Sequence, residues 1–297
     1  MAVCGCPNIL FGQPQRFPKT QIKAWYHCSV IVAYLPGGLP LYAFSVLLAL
    51  GVTAGLMWMT WQSERRQIAS QMRAAFWTLL GALVGARVVF VVAGWSYFRI
   101  HLLDALLVSQ GGVSWAGALA GALLALGIYA SATHISFGRL ADGLLPLATP
   151  LVVATWLGCW LDGYAYGPRL DAWWAVPARD EWGLLAPRWP TQLLGALLAL
   201  GVSWLLELAR PLTSLGPISF RRSGWRAALG LLGFSLQILT ISLLQADPGI
   251  FWHGVRLDSW VALAFVGLAI AGLLAIFLPA WRKEVQVKEG APAPQEG

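Results

Sequence analysis

Seven long apolar segments constrain the fold of this 297-residue chain more than any other feature of its sequence. Each approaches the length of about 20 residues that an α-helix needs to cross a bilayer. A soluble protein of this length would show amphipathic periods, and a transmembrane barrel would show short alternating strands. The sequence therefore predicts an all-α integral membrane protein, a bundle of about seven transmembrane helices. The predicted spans are 41–61, 74–95, 113–130, 144–161, 191–208, 227–244 and 261–278.

The charge of the chain is low and is distributed unevenly among the connections. Asp, Glu, Lys and Arg make up 11% of the residues, far below the roughly 25% of soluble domains. Arg65, Arg66 and Arg73 lie between the first and second spans, whereas the next connection carries a lone Arg99. Because cytoplasmic loops carry the excess of Lys and Arg, we expect the N-terminus outside and the C-terminus in the cytoplasm. No basic helix with interleaved aromatic residues is found, so no nucleic-acid partner is expected.

The spans divide the chain into one membrane domain and two flanking segments. We expect an extracytoplasmic N-terminal segment over 1–35, a seven-helix membrane domain over 36–280 and a polar, disordered cytoplasmic tail over 281–297. The longest connection, 162–189, is predicted to be an extracytoplasmic loop, either functional or an interfacial arm whose tryptophans lie at the membrane surface. The cysteines lack metal-ligand spacing, so neither a metal site nor a cofactor is expected.

Glycines and charges inside the spans have predicted roles in packing or binding. Arg87 lies in the second span, where a charge costs about 2.5–3.5 kcal/mol on insertion scales. Either its side chain snorkels to the interface, or its guanidinium binds a lipid phosphate bidentately. Asp142 is predicted to cap the start of its own span, and Glu207 is predicted to be solvated. The glycines predicted to let helices approach closely are Gly81, Gly85, Gly117, Gly121, Gly195 and Gly201.

Six short motifs occur in a fixed order from the start of the first span to the start of the fifth. The third motif, Gly-Gly-Val-Ser-Trp-Ala-Gly, begins at Gly111 and opens the third span. The ordered set, with the long loop before its last member, resembles the motifs of the prolipoprotein diacylglyceryl transferase family. The motifs occupy residues 40–43, 85–90, 111–117, 142–146, 156–167 and 187–193.

The resemblance implies a seven-span enzyme that moves the diacylglyceryl group of phosphatidylglycerol onto the lipobox cysteine thiol of a prolipoprotein. This reaction takes place at the outer face of the bacterial inner membrane. The implied partners are phosphatidylglycerol or another anionic phospholipid, the membrane and prolipoprotein signal peptides. The resemblance assigns a catalytic role to Tyr42. It assigns substrate binding to Arg87, Ser114, Gly163, Gly167, Gln192 and Gln237.

The departures from the family motifs concern titratable and cationic groups. In chain order, the family's His, Arg, Asn, Glu, His, Arg and Glu correspond here to Ala116, Trp156, Cys159, Tyr164, Trp189, Gln237 and Ile241. Losing one catalytic group removes several kcal/mol of transition-state stabilisation. The framework glycines and prolines are retained, so the departures bear on the chemistry of the site more than on the fold.

Two hypotheses follow from this pattern. One is a diacylglyceryl transferase with altered site chemistry, in which His101, Asp162 or Arg169 supplies a missing group. The other is a non-catalytic relative that binds lipid or a membrane partner through the same cavity. A transporter is disfavoured because, apart from Arg87, the spans lack the ionisable residues that line ion paths.

Overall fold

The computed structural model describes residues 2–3, 31–35, 39–105, 112–180, 183–212 and 223–289, with side chains described no further than residue 278. Seven helices in these residues are long and apolar enough to cross a membrane, which confirms the predicted all-α bundle. Gly111, the cysteines other than Cys159 and most of segment 1–35 lie outside the described residues. The helices are α1 (Ala43–Gln62), α2 (Ile68–Ala93), α3 (Trp115–Thr133), α4 (Phe137–Asp162), α5 (Thr191–Leu208), α6 (Trp225–Leu244) and α7 (Leu257–Glu289).

Three helices extend well beyond the apolar segments that predicted them. α2 begins at Ile68 and α4 at Phe137, each more than one helical turn before the predicted span. The added turns carry polar residues such as Gln71 and Arg139, because backbone hydrogen bonding continues past the end of an apolar segment into the headgroup region. α7 continues to Glu289, into the segment assigned to the tail.

Helix packing brings the backbones of α2 and α3 into direct contact. α2 packs along α3, α1 along α4 and α7 along α6, while α5 contacts α4 and α6. A Cβ at Gly117 would collide with the carbonyl oxygen of Gly85, and a Cβ at Gly121 with that of Gly81. The predicted packing role of these four glycines is confirmed, and we call them the glycine seam.

The two glycines of α5 have different surroundings. Gly195 lies against the indole of Trp156, and a Cβ there would come within 2.5 Å of the ring. Nothing among the described residues lies within 4 Å of a Cβ built at Gly201. The predicted packing role is therefore wrong for Gly201, because its face of α5 has no described neighbour at that position.

Four two-stranded antiparallel pairs in the described residues lie at one end of the bundle, which we call the hairpin end. Two of the pairs contain a strand that immediately precedes a helix, α1 or α3. The other two pairs lie in the connections from α4 to α5 and from α6 to α7. The pairs are β1 (Ala2–Val3) with β4 (Val113–Ser114), β2 (Ile31–Leu35) with β3 (Leu39–Tyr42), β5 (Val176–Arg179) with β6 (Leu185–Arg188), and β7 (Phe251–Trp252) with β8 (Val255–Arg256).

The long connection after α4 is a folded hairpin with exposed tryptophans. Asp162 belongs to α4 and is buried. Within the β5–β6 hairpin, Arg188 forms a buried ion pair with Asp180 at 3.0 Å. Trp173 is 96% exposed, and Trp174 packs edge-on against Trp189 with the ring centroids 4.7 Å apart. An exposed indole at the hairpin end fits an interfacial arm.

Asp142 connects two helices instead of capping its own. It lies inside α4 because that helix begins at Phe137. Its carboxylate accepts hydrogen bonds from the backbone N–H groups of Gly224 (2.6 Å) and Ala227 (2.8 Å) at the start of α6. The predicted cap of its own span is therefore wrong. The carboxylate instead satisfies donors at the positive end of the α6 dipole.

We expect Asp142→Ala to lower the free energy of unfolding by about 1–2 kcal/mol, as loss of a helix cap does. Asp142→Asn keeps one acceptor oxygen and is expected to lose less. Thermal unfolding in detergent, followed by tryptophan fluorescence, measures both variants. Equal stability of both variants and the wild type would contradict the capping role.

Glu207 lies in an ionic network at the opposite end of the bundle. Its carboxylate accepts a hydrogen bond from the amide of Gln62 at 3.2 Å. It also pairs with Arg210 and with Arg226, each at 3.5 Å. The prediction of a solvated Glu207 holds only in part: its side chain is 31% exposed, and the rest is covered because the end of α5 lies beside α1 and the start of α6. We call this end of the bundle, which holds Arg139, Arg210 and Arg226, the arginine end.

Candidate functional site

Arg87 holds the connection between α2 and α3. Its Nε donates to the carbonyl oxygen of Ala105 at 2.9 Å, and its terminal nitrogens donate to those of Gly112 (2.9 Å) and Asp104 (2.5 Å). The residue is only 8% exposed, and the guanidinium carbon lies 5.6 Å from the ring centroid of Phe90. All three nitrogens of the guanidinium therefore have backbone acceptors on the segment that leads into α3.

The retained residues at the start of α3 shape the entry to that helix. Ser114 is its N-cap, with the hydroxyl accepting from the backbone N–H of Gly117 at 3.4 Å. Gly112 has a positive φ of 82°, and a Cβ there would collide with the ring of Phe90. Since Arg87 binds the carbonyl of Gly112, Arg87 and Ser114 belong to one local structure at the hairpin end.

The retained residues after α4 fix the turn that leads to β5. Gly163 ends α4 with a positive φ of 72°, a conformation that favours glycine. A Cβ at Gly167 would lie 2.5 Å from the Cβ of Trp189. Gln192, at the start of α5, donates from its amide to the carbonyl oxygen of Tyr164 at 2.8 Å. These contacts attach the turn after α4 to the start of α5.

Gln237 and Tyr42 occupy different surroundings. Gln237 is buried in α6, and its amide nitrogen donates to the carbonyl oxygen of Gly195 on α5 at 2.5 Å. Its Oε1 has no hydrogen-bond partner among the described residues. Tyr42 ends β3 and is half-buried, and nearby Phe44 packs against Cys159. Arg87 and Ser114 thus form one group, Gly163, Gly167 and Gln192 form a second at the turn after α4, and Gln237 and Tyr42 lie apart on α6 and at the end of β3.

Five of the seven residues that replace the family's polar groups pack into two apolar clusters, whereas Trp189 packs against Trp174 and Gln237 hydrogen-bonds to α5. Ala116, Cys159 and Tyr164 share a cluster with Phe44 and Trp115. Trp156 and Ile241 share a second cluster, and both side chains are almost completely buried. Positions that are distant in sequence are therefore neighbours in space, and their side chains fill the region with apolar atoms.

A buried ionic cluster at the hairpin end was not predicted from the sequence. Arg256 is 7% exposed and contacts the carboxylates of Asp247 at 3.3 Å and Asp258 at 3.9 Å. Asp258 also accepts a hydrogen bond from the indole of Trp115 at 3.1 Å, which links these charges to the first apolar cluster. Burial raises the pKa of the Asp247 carboxyl, and attraction to Arg256 opposes that rise. The sequence signal that could have indicated this cluster is the presence of Asp247 and Asp258 on either side of Arg256 in the chain.

Seven helices among the described residues are long and apolar enough to cross a membrane, and they define a multi-pass membrane protein. A family model described as prolipoprotein diacylglyceryl transferase matches residues 30–277, and the chain belongs to that family. The family is one of membrane transferases of lipoprotein biosynthesis, as the motif order predicted.

Relatives named phosphatidylglycerol–prolipoprotein diacylglyceryl transferase match most of the chain. The protein from Thermosynechococcus vestitus is 26% identical over 277 residues, which cover 87% of this chain and 93% of the relative. The protein from Bordetella avium is 27% identical over 71% of this chain and 78% of the relative. The protein from Synechocystis sp. is 25% identical over 86% of this chain and 94% of the relative.

Proposed function

We propose that this chain is a non-catalytic member of its family that binds an anionic phospholipid such as phosphatidylglycerol and a prolipoprotein signal peptide. Membership of the family and the retained framework at the hairpin end support the binding role. In this proposal Tyr42, Gln192 and Gln237 line or position the binding region, and Arg87 with Ser114, Gly163 and Gly167 shapes the segments around it. In this proposal the protein does not transfer a diacylglyceryl group, because the titratable and cationic groups of the family motifs are replaced.

The packing of the replaced positions is the observation that carries this proposal. In the family reaction the acceptor thiol loses its proton, a sulfur–carbon bond forms, and the carbon–oxygen bond to glycerol phosphate breaks, releasing an anion. Such a step needs a group that favours the thiolate and cations at the departing phosphate. Ala116 and Cys159 pack in one apolar cluster and Trp156 and Ile241 in the other, so these positions supply neither a base nor a cation.

A transferase with a rebuilt site is the second candidate, and the ionic cluster favours it. Arg256 is a buried cation at the hairpin end, and Asp258 connects it to Trp115 beside the family's motif position. In this alternative Arg256 would stabilise the departing phosphate. Its pairing with two carboxylates makes it a weaker phosphate ligand than an unpaired arginine, so we place this candidate second.

Expression in bacteria depleted of their own transferase separates the two candidates. We expect no rescue of growth and no transfer of a diacylglyceryl group to a lipobox peptide, because the family's site groups are missing. The transferase of Bordetella avium serves as the positive control, and membrane insertion of this chain is verified by fractionation. Rescue by the wild type that is lost in a folded Arg256→Gln variant would instead establish the second candidate.

Lipid binding is tested independently of catalysis. Native mass spectrometry of the purified protein with mixed lipids is expected to show preferential retention of phosphatidylglycerol over phosphatidylcholine. Equal retention of the two lipids would contradict the binding role, whatever the outcome of the rescue experiment.

We also propose that the hairpin end faces the outside and the arginine end faces the cytoplasm. The excess of arginine at the connections of the arginine end supports this orientation. In a variant whose four native cysteines are replaced by serine, a cysteine placed at the exposed Trp173 is expected to react with a membrane-impermeant maleimide in intact cells, whereas one at Gln67 reacts only after lysis. The reverse pattern would contradict the orientation.

A further inference from the structure

We propose that a polar pocket at the arginine end binds a phosphate group. The pocket has a volume of about 220 Å³ and lies between the connection from α1 to α2 and the ends of α4, α5 and α6. Its lining includes Gln62, Gln71, Arg139, Arg210 and Arg226. Asp142, Gly143 and Pro146 of the fourth motif also line the pocket, but it lies at the opposite end of the bundle from Arg87 and Gly112, and the proposal does not rest on the proposed function.

Three arginines from three different elements converge on this pocket. Arg139 is exposed near the start of α4, and Arg210 follows α5. Arg226 is 8% exposed in the first turn of α6, and its Nε has no hydrogen-bond partner among the described residues. Guanidinium groups match the oxygens of phosphate and bind them bidentately.

The main carboxylates near the pocket are already engaged by the protein. Both oxygens of Asp142 accept backbone N–H groups of α6. Glu207 is shared between Arg210 and Arg226. Glu64 lines the pocket from the exposed connection and accepts a hydrogen bond from the amide of Gln67 at 3.2 Å. The carboxylates thus hold helix ends and arginines in place beside the pocket.

The size of the pocket fits a headgroup-sized ligand. Pockets for drug-sized molecules usually measure about 300–1,000 Å³, so this pocket is too small for such a molecule. The amides of Gln62 and Gln71 add polar groups that can donate to phosphate or glycerol oxygens. A phosphate reaches this position either on a phospholipid headgroup of the adjacent leaflet or as a soluble phosphate ester or ion.

The two sources are distinguished with two probes. Protein in nanodiscs of phosphatidylcholine alone is titrated with inorganic phosphate by calorimetry. Protein in nanodiscs that also contain phosphatidylglycerol is examined by phosphorus NMR for immobilised headgroups. Binding of phosphate in the first experiment supports a soluble ligand, and immobilised headgroups without phosphate binding support a lipid ligand. Binding of neither probe overturns the proposal.

Variants at exposed arginines test the site without removing buried charge. Arg139→Gln and Arg210→Gln are each expected to weaken binding about tenfold, which corresponds to about 1.4 kcal/mol. Arg73→Gln is the matched control, because Arg73 is an exposed arginine near the start of α2 that does not line the pocket. Its Nε donates to the carbonyl oxygen of Ala69. It is expected to change affinity less than twofold. Equal effects of all three substitutions would indicate general charge attraction and overturn the proposal.

Discussion

Gly121→Ala will destabilise the bundle strongly, whereas Gly127→Ala on the same helix will not. At Gly121 the added Cβ would collide with the carbonyl oxygen of Gly81 and lie 2.9 Å from the Cα of Gly85, so two helix backbones must separate. We expect the free energy of unfolding to fall by about 3 kcal/mol, the upper part of the range for overpacking. At Gly127 nothing among the described residues lies within 4 Å of the new Cβ.

This comparison isolates the glycine seam because chemistry and helix are the same in both variants. Alanine is a better helix former than glycine by about 1 kcal/mol, so we expect Gly127→Ala to be neutral or slightly stabilising. Thermal unfolding in detergent, followed by tryptophan fluorescence and by size exclusion of heated samples, measures the difference. If Gly121→Ala were as stable as Gly127→Ala, close contact between α2 and α3 would not hold the bundle together.

Arg87→Ala is the second substitution with a large expected effect. It removes the donors of three backbone carbonyls, those of Asp104, Ala105 and Gly112. Leaving buried acceptors unsatisfied costs about 1–3 kcal/mol each. Because some of these groups are only partly buried, we expect a total loss of about 2–4 kcal/mol in the free energy of unfolding.

Arg87→Lys separates the geometry of the guanidinium from its charge. Lysine keeps the positive charge but lacks the planar fork that reaches three acceptors. We therefore expect Arg87→Lys to recover less than half of the lost stability. Proteolysis of the connection between α2 and α3 reports the same contacts locally, and cleavage is expected to be faster in both variants. Full recovery by lysine would show that charge alone, rather than the three hydrogen bonds, stabilises this connection.

The number and order of the helices were predictable because the length of an apolar segment can be read directly from the local sequence. The glycine seam was predictable for the same reason, since small residues four apart share a helix face. Gly201 meets the same spacing rule and yet faces open space, because spacing does not identify which face of α5 has a neighbour. The roles of the glycines therefore depend on tertiary packing as well as on their positions.

The ionic contacts were less predictable because they join residues far apart in sequence. Asp142 binds the start of α6, and Glu207 binds Gln62 and Arg226, contacts that depend on which helices are neighbours. The charge of Arg256 was visible in the sequence, but its burial between Asp247 and Asp258 was not. In contrast, the replacements at the motif positions were visible only through the family resemblance, and five of them pack in two apolar clusters.

The cap that α4 provides for α6 has a consequence for biogenesis. A partly buried backbone N–H without an acceptor costs about 1–3 kcal/mol, and Asp142 accepts two such groups at the start of α6. α4 precedes α6 in the chain, so this acceptor is synthesised before the donors that it satisfies. Moving α6 ahead of α4 by circular permutation would leave those two N–H groups to water until α4 is made. In this bundle the helix that supplies the cap is therefore made before the helix that is capped.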